Sequence, residues 1–197
     1  MMRLLLATLL GGFLLPALPA TAHPDIAITL RVLFNLKRGV LTGIGESLTF
    51  DAAYSATLMR LYDRNGDGHL DGMESLDLGQ RLIADLGPTR YFSRLSMDGQ
   101  RVARLEPADF NASVAGGIVT VTFAFNLAGS VDLRGRGVSL DIHDPDFQAA
   151  FRLAETAPLQ IRGDDDGKCR TDVAADPDHR YFAGLIVPQT IRLTCGR

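Results

Sequence analysis

The twelve residues 63–74, DRNGDGHLDGME, constrain this chain more than any other stretch. Asp, Asn or Glu stands at positions 1, 3, 5, 9 and 12 of this segment, and glycine occupies position 6. An EF-hand loop binds calcium through positions 1, 3, 5, 7, 9 and 12 and has glycine at position 6 for its sharp turn. Position 7 contributes only its backbone carbonyl, so a histidine can occupy it. The predicted calcium ligands are Asp63, Asn65, Asp67, His69, Asp71 and Glu74.

A surface turn rich in Asp, Asn and Gly is the alternative interpretation, because such residues form turns without any metal. A plain turn does not require Glu74 at its end, the apolar Leu70 at position 8, or helical patterns on both sides. The segment also matches the whole EF-hand pattern D-x-[DN]-x-[DN]-G-x5-E. The sequence therefore favours a calcium site. EF-hands commonly occur in pairs, and the sequence holds no second loop of this pattern.

The residues on both sides of this loop predict a hairpin and two helices. Apolar residues recur at about every second position over 26–50, and a turn at Gly39 interrupts them, as in a β-hairpin with one buried face. Asp51 is placed to cap a helix that enters the loop. A second helix is predicted over 73–86, where Gly87 and Pro88 end it.

Beyond Pro88 the pattern changes to short strands separated by turn residues. The dipeptides Asp98-Gly99 and Gly116-Gly117 predict two further hairpins. The strand count predicts a β-rich, sandwich-like body, and no break in composition divides it. We therefore predict an α+β fold, a single domain of residues 23–197 with an EF-hand-type helix-loop-helix inserted at 51–87. The predicted strands of this part span residues 91–97, 100–105, 110–115, 118–127, 138–142, 147–154, 159–161 and 185–193.

The first 22 residues have the pattern of a secretory signal peptide. Arg3 precedes an uncharged apolar run over 4–18, and small residues stand at positions 20 and 22. The run is shorter than the roughly 20 residues that a membrane-spanning helix needs. We expect cleavage after Ala22, export to the periplasm, and a mature chain that does not insert into the membrane.

Charge and cysteine usage limit the classes of partner. The chain has 20 Lys and Arg against 23 Asp and Glu, and only Lys37 and Lys168 are lysines. Binding to nucleic acid requires clustered cations that neutralise phosphates, so nucleic acid is not an expected partner. The two cysteines, Cys169 and Cys195, are predicted to form a disulfide in an oxidising compartment. A thiolate metal site is the alternative, but it lacks the usual C-x-x-C spacing.

Two of the three histidines outside the loop, His23 and His143, are candidate ligands. After cleavage, His23 would be the N-terminal residue, and its amine and ring nitrogen could chelate a transition metal such as Zn²⁺ or Ni²⁺. A frayed terminus is the alternative. His143 precedes Asp144-Pro145-Asp146, so a ligand cluster and a structural turn are both open, and Asp-Pro favours the turn. No role is predicted for His179.

The absence of the common catalytic motifs from the sequence argues against an enzyme. The sequence contains no G-x-S-x-G, H-E-x-x-H, P-loop or dinucleotide fingerprint. The acidic stretch 164–167 is not a second calcium loop, because Lys168 stands where a third oxygen ligand is needed. We predict a solvated loop there, and no catalytic residue anywhere in the chain.

Several short motifs occur in an order that resembles a known bacterial family. They are Ala22-His23-Pro24, the stretch 50–55, the loop, Tyr91-Phe92, the stretch 131–135 and Asp144-Pro145. Together they make the mature chain similar, nearly end to end, to the family catalogued as domain of unknown function number one thousand and seven, described as the periplasmic component of an ABC-type transport system.

The resemblance implies a part in metal-ion uptake or export, because members tend to be encoded beside nickel/cobalt-type permeases. Members usually carry His-Pro-His at the processed N-terminus. Asp25 replaces the second histidine here, which weakens the case for an N-terminal metal site.

We therefore expect an exported calcium-binding protein that acts as a binding or accessory component of a transition-metal transport system for nickel, cobalt or zinc. Its expected partner is a membrane permease for metal ions. The alternative is a calcium-stabilised structural module that docks other proteins of the cell envelope. A two-lobed solute-binding protein does not fit a mature chain of this size.

Overall fold

Two β-sheets form the body of the protein, and the computed structural model describes residues 24–102 and 104–197. The predicted signal peptide, 1–22, and His23 lie outside the described residues. In the described part, no helix is both long and apolar enough to cross a membrane. The strands are β1 (Ile26–Lys37), β2 (Val40–Phe50), β3 (Ser93–Met97), β4 (Gln100–Arg101), β5 (Leu105–Ala115), β6 (Ile118–Asp132), β7 (Gly137–Ile142), β8 (Ala149–Leu153), β9 (Leu159–Arg162), β10 (Cys169–Ala175) and β11 (Gln189–Cys195).

The first sheet is built on the long hairpin of β1 and β2. Its strand order is β5-β6-β2-β1-β8, and β9 also pairs with β1 beyond the end of β8. The pairs among β1, β2, β5 and β6 are antiparallel, whereas β8 and β9 run parallel to β1. Alternate residues of β1 are buried, so one face of this sheet covers the core. The buried residues of β1 are Ile28, Leu30, Val32, Phe34 and Leu36.

The second sheet packs over part of that inner face. Its order is β10-β11-β7-β3-β4, with every described pair antiparallel. Leu95, Leu140 and Leu193 of this sheet belong to one hydrophobic core together with the inner residues of the first sheet. The prediction of a β-rich body is therefore confirmed, with two sheets around one core.

Two helices, α1 (Ala52–Tyr62) and α2 (Gly72–Leu86), lie between β2 and β3 in the chain. Asp51 caps α1, since its carboxylate accepts from the amide of Tyr54 at 2.8 Å. Its other oxygen accepts from the amide of Ala27 at 2.7 Å, so one carboxylate joins α1 to β1. Hydrogen bonds pull the pKa of Asp51 below its usual value, first that of Tyr54 and then that of Ala27.

Both helices pack against the β5–β6 hairpin. The hydroxyl of Ser55 on α1 accepts from the amide of Val119 at 3.0 Å, and that of Ser75 on α2 accepts from the amide of Ala112 at 3.2 Å. Gly79 lets α2 approach closely, because a Cβ atom there would lie 2.5 Å from the ring of Phe110. These contacts fix the positions of the two helices that flank the 63–74 loop.

The predicted hairpins and helices are confirmed, and three strand predictions need correction. The strand predicted over 91–97 begins at Ser93, because Arg90–Phe92 form a 3₁₀ turn with positive φ angles near 57°. This turn places Tyr91 against Phe125, with ring centroids 4.9 Å apart. The strand predicted over 185–193 begins only at Gln189, after Pro188, which has no amide to donate. The strand predicted over 100–105 is divided between the two-residue β4 and the start of β5.

One strand, β10, was missed by the sequence analysis. It is an edge strand paired only with β11, and none of its residues is fully buried. A half-exposed edge strand therefore lacks the alternation of apolar residues that signals a strand in a sequence. The predicted disulfide closes it, since Cys169 at the start of β10 is bonded to Cys195 at the end of β11.

Glu46 is a carboxylic acid buried in the apolar core. It lies on the inner face of β2, is 1 % exposed, and accepts a hydrogen bond from the hydroxyl of Ser93 at 2.8 Å. No ion pair to it occurs among the described residues. Burial raises the pKa of this carboxyl to about 7, although the Ser93 hydrogen bond opposes the effect.

Stability should fall as the pH rises through the pKa of Glu46. The unfolded chain loses this proton near its ordinary pKa of 4.5, whereas the folded chain keeps it up to about pH 7. The stabilising effect of the proton is complete below the unfolded pKa and is lost above the folded one, a change of roughly 3 kcal/mol. We expect Glu46→Gln to unfold at higher urea concentration than wild type at about pH 8, and at a similar concentration at about pH 5.

The exposed Glu155 supplies the matched control for this measurement. Glu155→Gln should change the urea midpoint little at either pH. If Glu46→Gln and wild type keep the same difference in midpoint at both pH values, the Glu46 carboxyl does not titrate as inferred.

Removing the disulfide should lower the free energy of unfolding by roughly 3 to 4 kcal/mol, the value that the chain-entropy relation gives for a loop of this length. The bond joins residues separated by 26 positions. The test is urea unfolding of the double variant Cys169→Ser, Cys195→Ser beside wild type. Thiol titration of denatured, unreduced wild type should find no free thiol, and two free thiols would contradict the bond.

Candidate metal-binding loop

The segment between α1 and α2 is held at both ends by helix termini. Asp63 ends α1, and its amide donates to the carbonyl of Met59 at 2.9 Å. Asp71 precedes α2, where its carboxylate accepts from the amides of Met73 at 2.8 Å and Glu74 at 3.0 Å. The first and ninth positions of the predicted loop are thus fixed by helix capping, a standard role for Asp.

The loop folds around the side chain of its first residue. The carboxylate of Asp63 accepts from the amides of Gly66 at 2.8 Å and Gly68 at 3.0 Å, and also from that of Asp67 at 3.2 Å. Gly66 and Gly68 have φ angles of 71° and 80°, a region in which a Cβ atom is strained. Glycine at position 6 is therefore required by the backbone that the loop adopts.

The third and fifth positions continue this pattern of local hydrogen bonds. The side-chain oxygen of Asn65 accepts from the amide of Asp67 at 2.9 Å, and the carboxylate of Asp67 accepts from the amide of His69 at 2.8 Å. The side-chain amide of Asn65 also donates to Asp67 at 3.1 Å. The side-chain oxygens of Asp63, Asn65 and Asp67 therefore point toward the loop backbone, where they accept hydrogen bonds from its amides.

Glu74, the twelfth position, is the buried member of the set and is only 4 % exposed. One of its oxygens accepts from the amides of Arg64 at 2.7 Å and Asn65 at 3.3 Å, and the other accepts from the amide of Asp71 at 3.0 Å. With Asp71 it forms a reciprocal capping box at the start of α2. A single carboxylate therefore bridges the beginning and the end of the loop.

The loop carries an excess of negative charge. Asp63, Asp67, Asp71 and Glu74 contribute four carboxylates within twelve residues. The nearby cation, Arg64, forms its ion pair with Asp77 on α2 and with no loop carboxylate. Like charges this close repel one another, so a cation that bound them would remove an unfavourable interaction.

The donor chemistry of the loop fits calcium. Of the six predicted ligands, four are carboxylates, Asn65 offers an amide oxygen, and His69 would offer its backbone carbonyl; hard oxygens of these kinds are the ligands that Ca²⁺ prefers. In the described residues, however, no three His, Cys, Asp or Glu side chains are grouped closely enough to hold a metal ion. The carboxylates of Asp63 and Glu74 bond backbone amides, while Asp71 faces the start of α2.

The other candidate ligands are in structural roles. Cys169 and Cys195 are bonded to each other and cannot supply thiolates. In the acidic stretch, Asp164 accepts from the amides of Lys168 at 3.1 Å and Cys169 at 2.9 Å, as in a simple turn. Asp144 is buried, and it accepts from the amides of Asp146, Gln148 and Ala149 at 2.9 to 3.0 Å. The turn interpretation of residues 143–146 therefore describes Asp144 correctly.

Sequence reasoning missed a chain of polar side chains on the second sheet. Asp141 on β7 is buried and forms an ion pair with Arg94 on β3 at 3.1 Å. The hydroxyl of Thr190 on β11 donates to Asp141 at 2.6 Å, and His179 bonds Asp176 at 2.8 Å nearby. These residues come from four separate segments, so no local motif marks them. The sequence marks this group only through charged residues, Asp141 and Arg94, that stand within predicted strands.

Comparison with known proteins places the chain in a family. The family described as Protein of unknown function (DUF1007) matches residues 8–184. The chain belongs to this family. The resemblance stated from the sequence motifs is thereby confirmed, and the match of this DUF1007 member includes the 63–74 loop and the strands from β1 to β10.

The chain is also similar to a curated bacterial protein. It is 27 % identical over 127 residues to an uncharacterized 15.5 kDa protein in the trpE 3' region of Spirochaeta aurantia. The aligned part covers 64 % of this DUF1007 chain and 90 % of the Spirochaeta protein. The similarity thus extends over nearly the whole of the shorter relative.

Proposed function

We propose that this protein is an exported periplasmic protein that binds calcium in the 63–74 loop, an EF-hand-type insert, and serves as a binding or accessory component of a transition-metal transport system. The calcium proposal rests on the position and burial of Glu74. A buried carboxylate with no cationic side chain beside it, at the twelfth position of a complete EF-hand pattern, is suited to be the bidentate ligand of a calcium ion.

Calcium would act here by charge neutralisation and not by chemistry on a substrate. Asp63, Asn65, Asp67, Asp71 and Glu74, with the carbonyl of His69, would hold the ion. The bound charge would offset the repulsion among four carboxylates and fix the ends of α1 and α2. The helices in turn pack on the β5–β6 hairpin, so binding would stabilise the whole domain.

The setting of the loop supports a structural role for calcium over a signalling role. Sensor EF-hands act in pairs, whereas modules in exported proteins bind at about 10⁻⁴ to 10⁻³ M. The helices are also tied to the sheet through Asp51, Ser55 and Ser75. We propose that calcium, once bound, stays bound and keeps the helix-loop-helix seated on the sheet.

Calcium should raise the melting temperature of wild type far more than that of Glu74→Gln. At a calcium concentration a hundredfold above Kd, binding adds about 2.7 kcal/mol to stability, which corresponds to roughly 5 to 10 °C for a domain of this size. Glu74→Gln removes the charged ligand but keeps an oxygen that can accept from the amide of Asp71. The measurement is thermal melting with calcium and with chelator.

Asp85→Asn is the control for this experiment, because Asp85 lies on the exposed side of α2 and pairs with Arg81 outside the loop. It should retain the full calcium response. If calcium raises the melting temperature of Glu74→Gln as much as that of wild type, the loop is not the calcium site.

The transport part of the proposal is supported by family membership and by His23. The family resemblance associates such chains with nickel/cobalt-type permeases. If cleavage follows Ala22, the amine and the ring of His23 form one chelating unit for Zn²⁺ or Ni²⁺. The permease would be the partner that receives or delivers this metal.

One extra residue placed before His23 should weaken transition-metal binding at least about tenfold, because it separates the free amine from the imidazole. The measurement is calorimetric titration with Ni²⁺ or Zn²⁺ of both mature forms, each already saturated with calcium. His23→Ala, which removes only the ring, should lose affinity similarly. Equal affinity in all three forms would show that the N-terminus does not chelate the metal.

A calcium-stabilised interaction module is the second candidate, and exposed apolar side chains beside the loop favour it. Leu61 and Met73 are 61 % and 64 % exposed, and Leu76 is 49 % exposed. Exposed apolar groups of this size are common at docking surfaces. Titration distinguishes the two proposals: a transport accessory protein takes up one transition-metal ion with calcium already bound, and a docking module takes up none.

A further inference from the structure

A cavity of about 530 Å³ is lined by residues of both sheets. The lining comes from the first half of β1, the end of β2 with Asp51, the end of β7, β8, and Tyr181 with residues of the stretch 186–191. None of its lining residues belongs to the 63–74 loop. Its size is within the range of small-molecule sites in proteins, so the cavity is a second candidate site, independent of calcium.

Aromatic side chains form one wall of this cavity. Tyr181 and Phe147 pack together with ring centroids 6.2 Å apart, and Phe151 of β8 lines the same space. Phe147 has a φ angle of 55° and Phe182, which packs on Phe147, has one of 50°. Left-handed backbone is unfavourable for bulky residues, so these rings are held in place by their surroundings. The wall is therefore preformed for a flat, apolar ligand.

His143 provides a polar group in this apolar setting. Its ring packs on that of Tyr181 at 4.6 Å, and its Nδ1 atom is buried with no hydrogen-bond partner in the described part of the chain. Burial lowers the pKa of His143, so the ring is neutral near pH 7 and carries one donor and one acceptor nitrogen. Nδ1 has no surface open to the cavity, so a ligand can reach this ring only through the other nitrogen, Nε2, which is not buried.

The charged groups near His143 already have partners. Asp141 bonds Arg94 and Thr190, and Asp144 bonds the amides of its own turn. Asp51, which lines the cavity, accepts from the amides of Ala27 and Tyr54. Arg152 also lines the cavity, but it alternates with Phe151 along β8 and so projects to the opposite face of the strand. The aromatic side of the cavity therefore offers no unpaired cation for an anionic ligand.

We propose that this cavity binds a small uncharged aromatic molecule with one hydroxyl group. Its rings lie against Phe147, Phe151 and Tyr181, and its hydroxyl forms a hydrogen bond with Nε2 of His143. A hydroxyl suits this nitrogen in either tautomer, because it can donate or accept. The uncharged character follows from the neutral imidazole and from the paired state of the neighbouring carboxylates.

Two fused-ring probes test the hydrogen bond separately from the apolar contact. Calcium-saturated wild type should bind 2-naphthol about tenfold more tightly than naphthalene, as expected for one buried hydrogen bond. His143→Phe keeps an aromatic ring but no nitrogen, so it should bind the two probes equally. The readout is fluorescence titration of each probe. Failure of wild type to bind 2-naphthol, or an unchanged preference in His143→Phe, would overturn the proposal.

A cavity-filling variant tests the location. Leu153 lines the cavity at the end of β8, so Leu153→Trp should reduce the affinity for 2-naphthol at least tenfold. Leu127→Trp is the matched control, because Leu127 is also half-buried but lies on β6, outside the cavity. It should bind like wild type. Equal affinity in the two Trp variants would place the probe elsewhere and overturn the proposal.

Two further measurements keep the result interpretable. If Leu153→Trp does not fold, NMR of wild type replaces it: saturating 2-naphthol should shift the ring signals of His143 more than those of His69, and equal or absent shifts would overturn the proposal. Asp85→Asn should bind 2-naphthol as tightly as wild type does, because Asp85 lies on α2 and does not line the cavity. Loss of binding in that variant would place the probe elsewhere and overturn the proposal.

Discussion

The inner face of the β1–β2–β6 strip is the constraint on which the rest of the structure depends. Three long neighbouring strands present Val32, Ile44 and Phe123 on one side, and this side must be covered. No single element among residues 24–102 and 104–197 covers it. The second sheet packs over one part, and α1 and α2 pack over the part formed by β5 and β6. The loop joins the two helices of this cover, and the cavity is lined by residues of both sheets.

Two buried carboxylates show how neighbouring groups determine what an acid does in this protein. Glu46 has a single hydroxyl partner in an apolar core, so its neutral form is favoured there. Glu74 is buried as deeply, yet its two oxygens accept from three backbone amides at the joint of a loop and a helix. The same residue type thus holds a proton in the apolar core in one case and joins the two ends of a loop in the other.

Local patterns allowed much of the fold to be predicted, and long-range contacts account for the rest. The alternation in β1 and the capping role of Asp51 could be predicted from the sequence, because both depend on residues that are close in the chain. The left-handed turn before Ser93 could not be predicted, because it depends on the packing of Tyr91 on the distant Phe125. For the candidate sites, the loop is one contiguous motif, whereas the cavity joins His143, Phe151 and Tyr181 from segments with no common pattern. The alternation of a half-exposed edge strand such as β10 is similarly weak.

The order of strands in the second sheet has a consequence for the timing of assembly. β11 is the last described strand in the sequence, yet it lies between β10 and β7. A chain synthesised from its N-terminus can pair β1 with β2, and β5 with β6, as soon as each hairpin emerges, since the two strands of each hairpin are adjacent in both sequence and space. β7 can pair with β3, but β10 must wait for β11, and the cysteine of β10 finds its partner only at the end of that strand. The second sheet therefore remains incomplete until the last described strand has been made, and the apolar surface that it covers is exposed to aggregation until then.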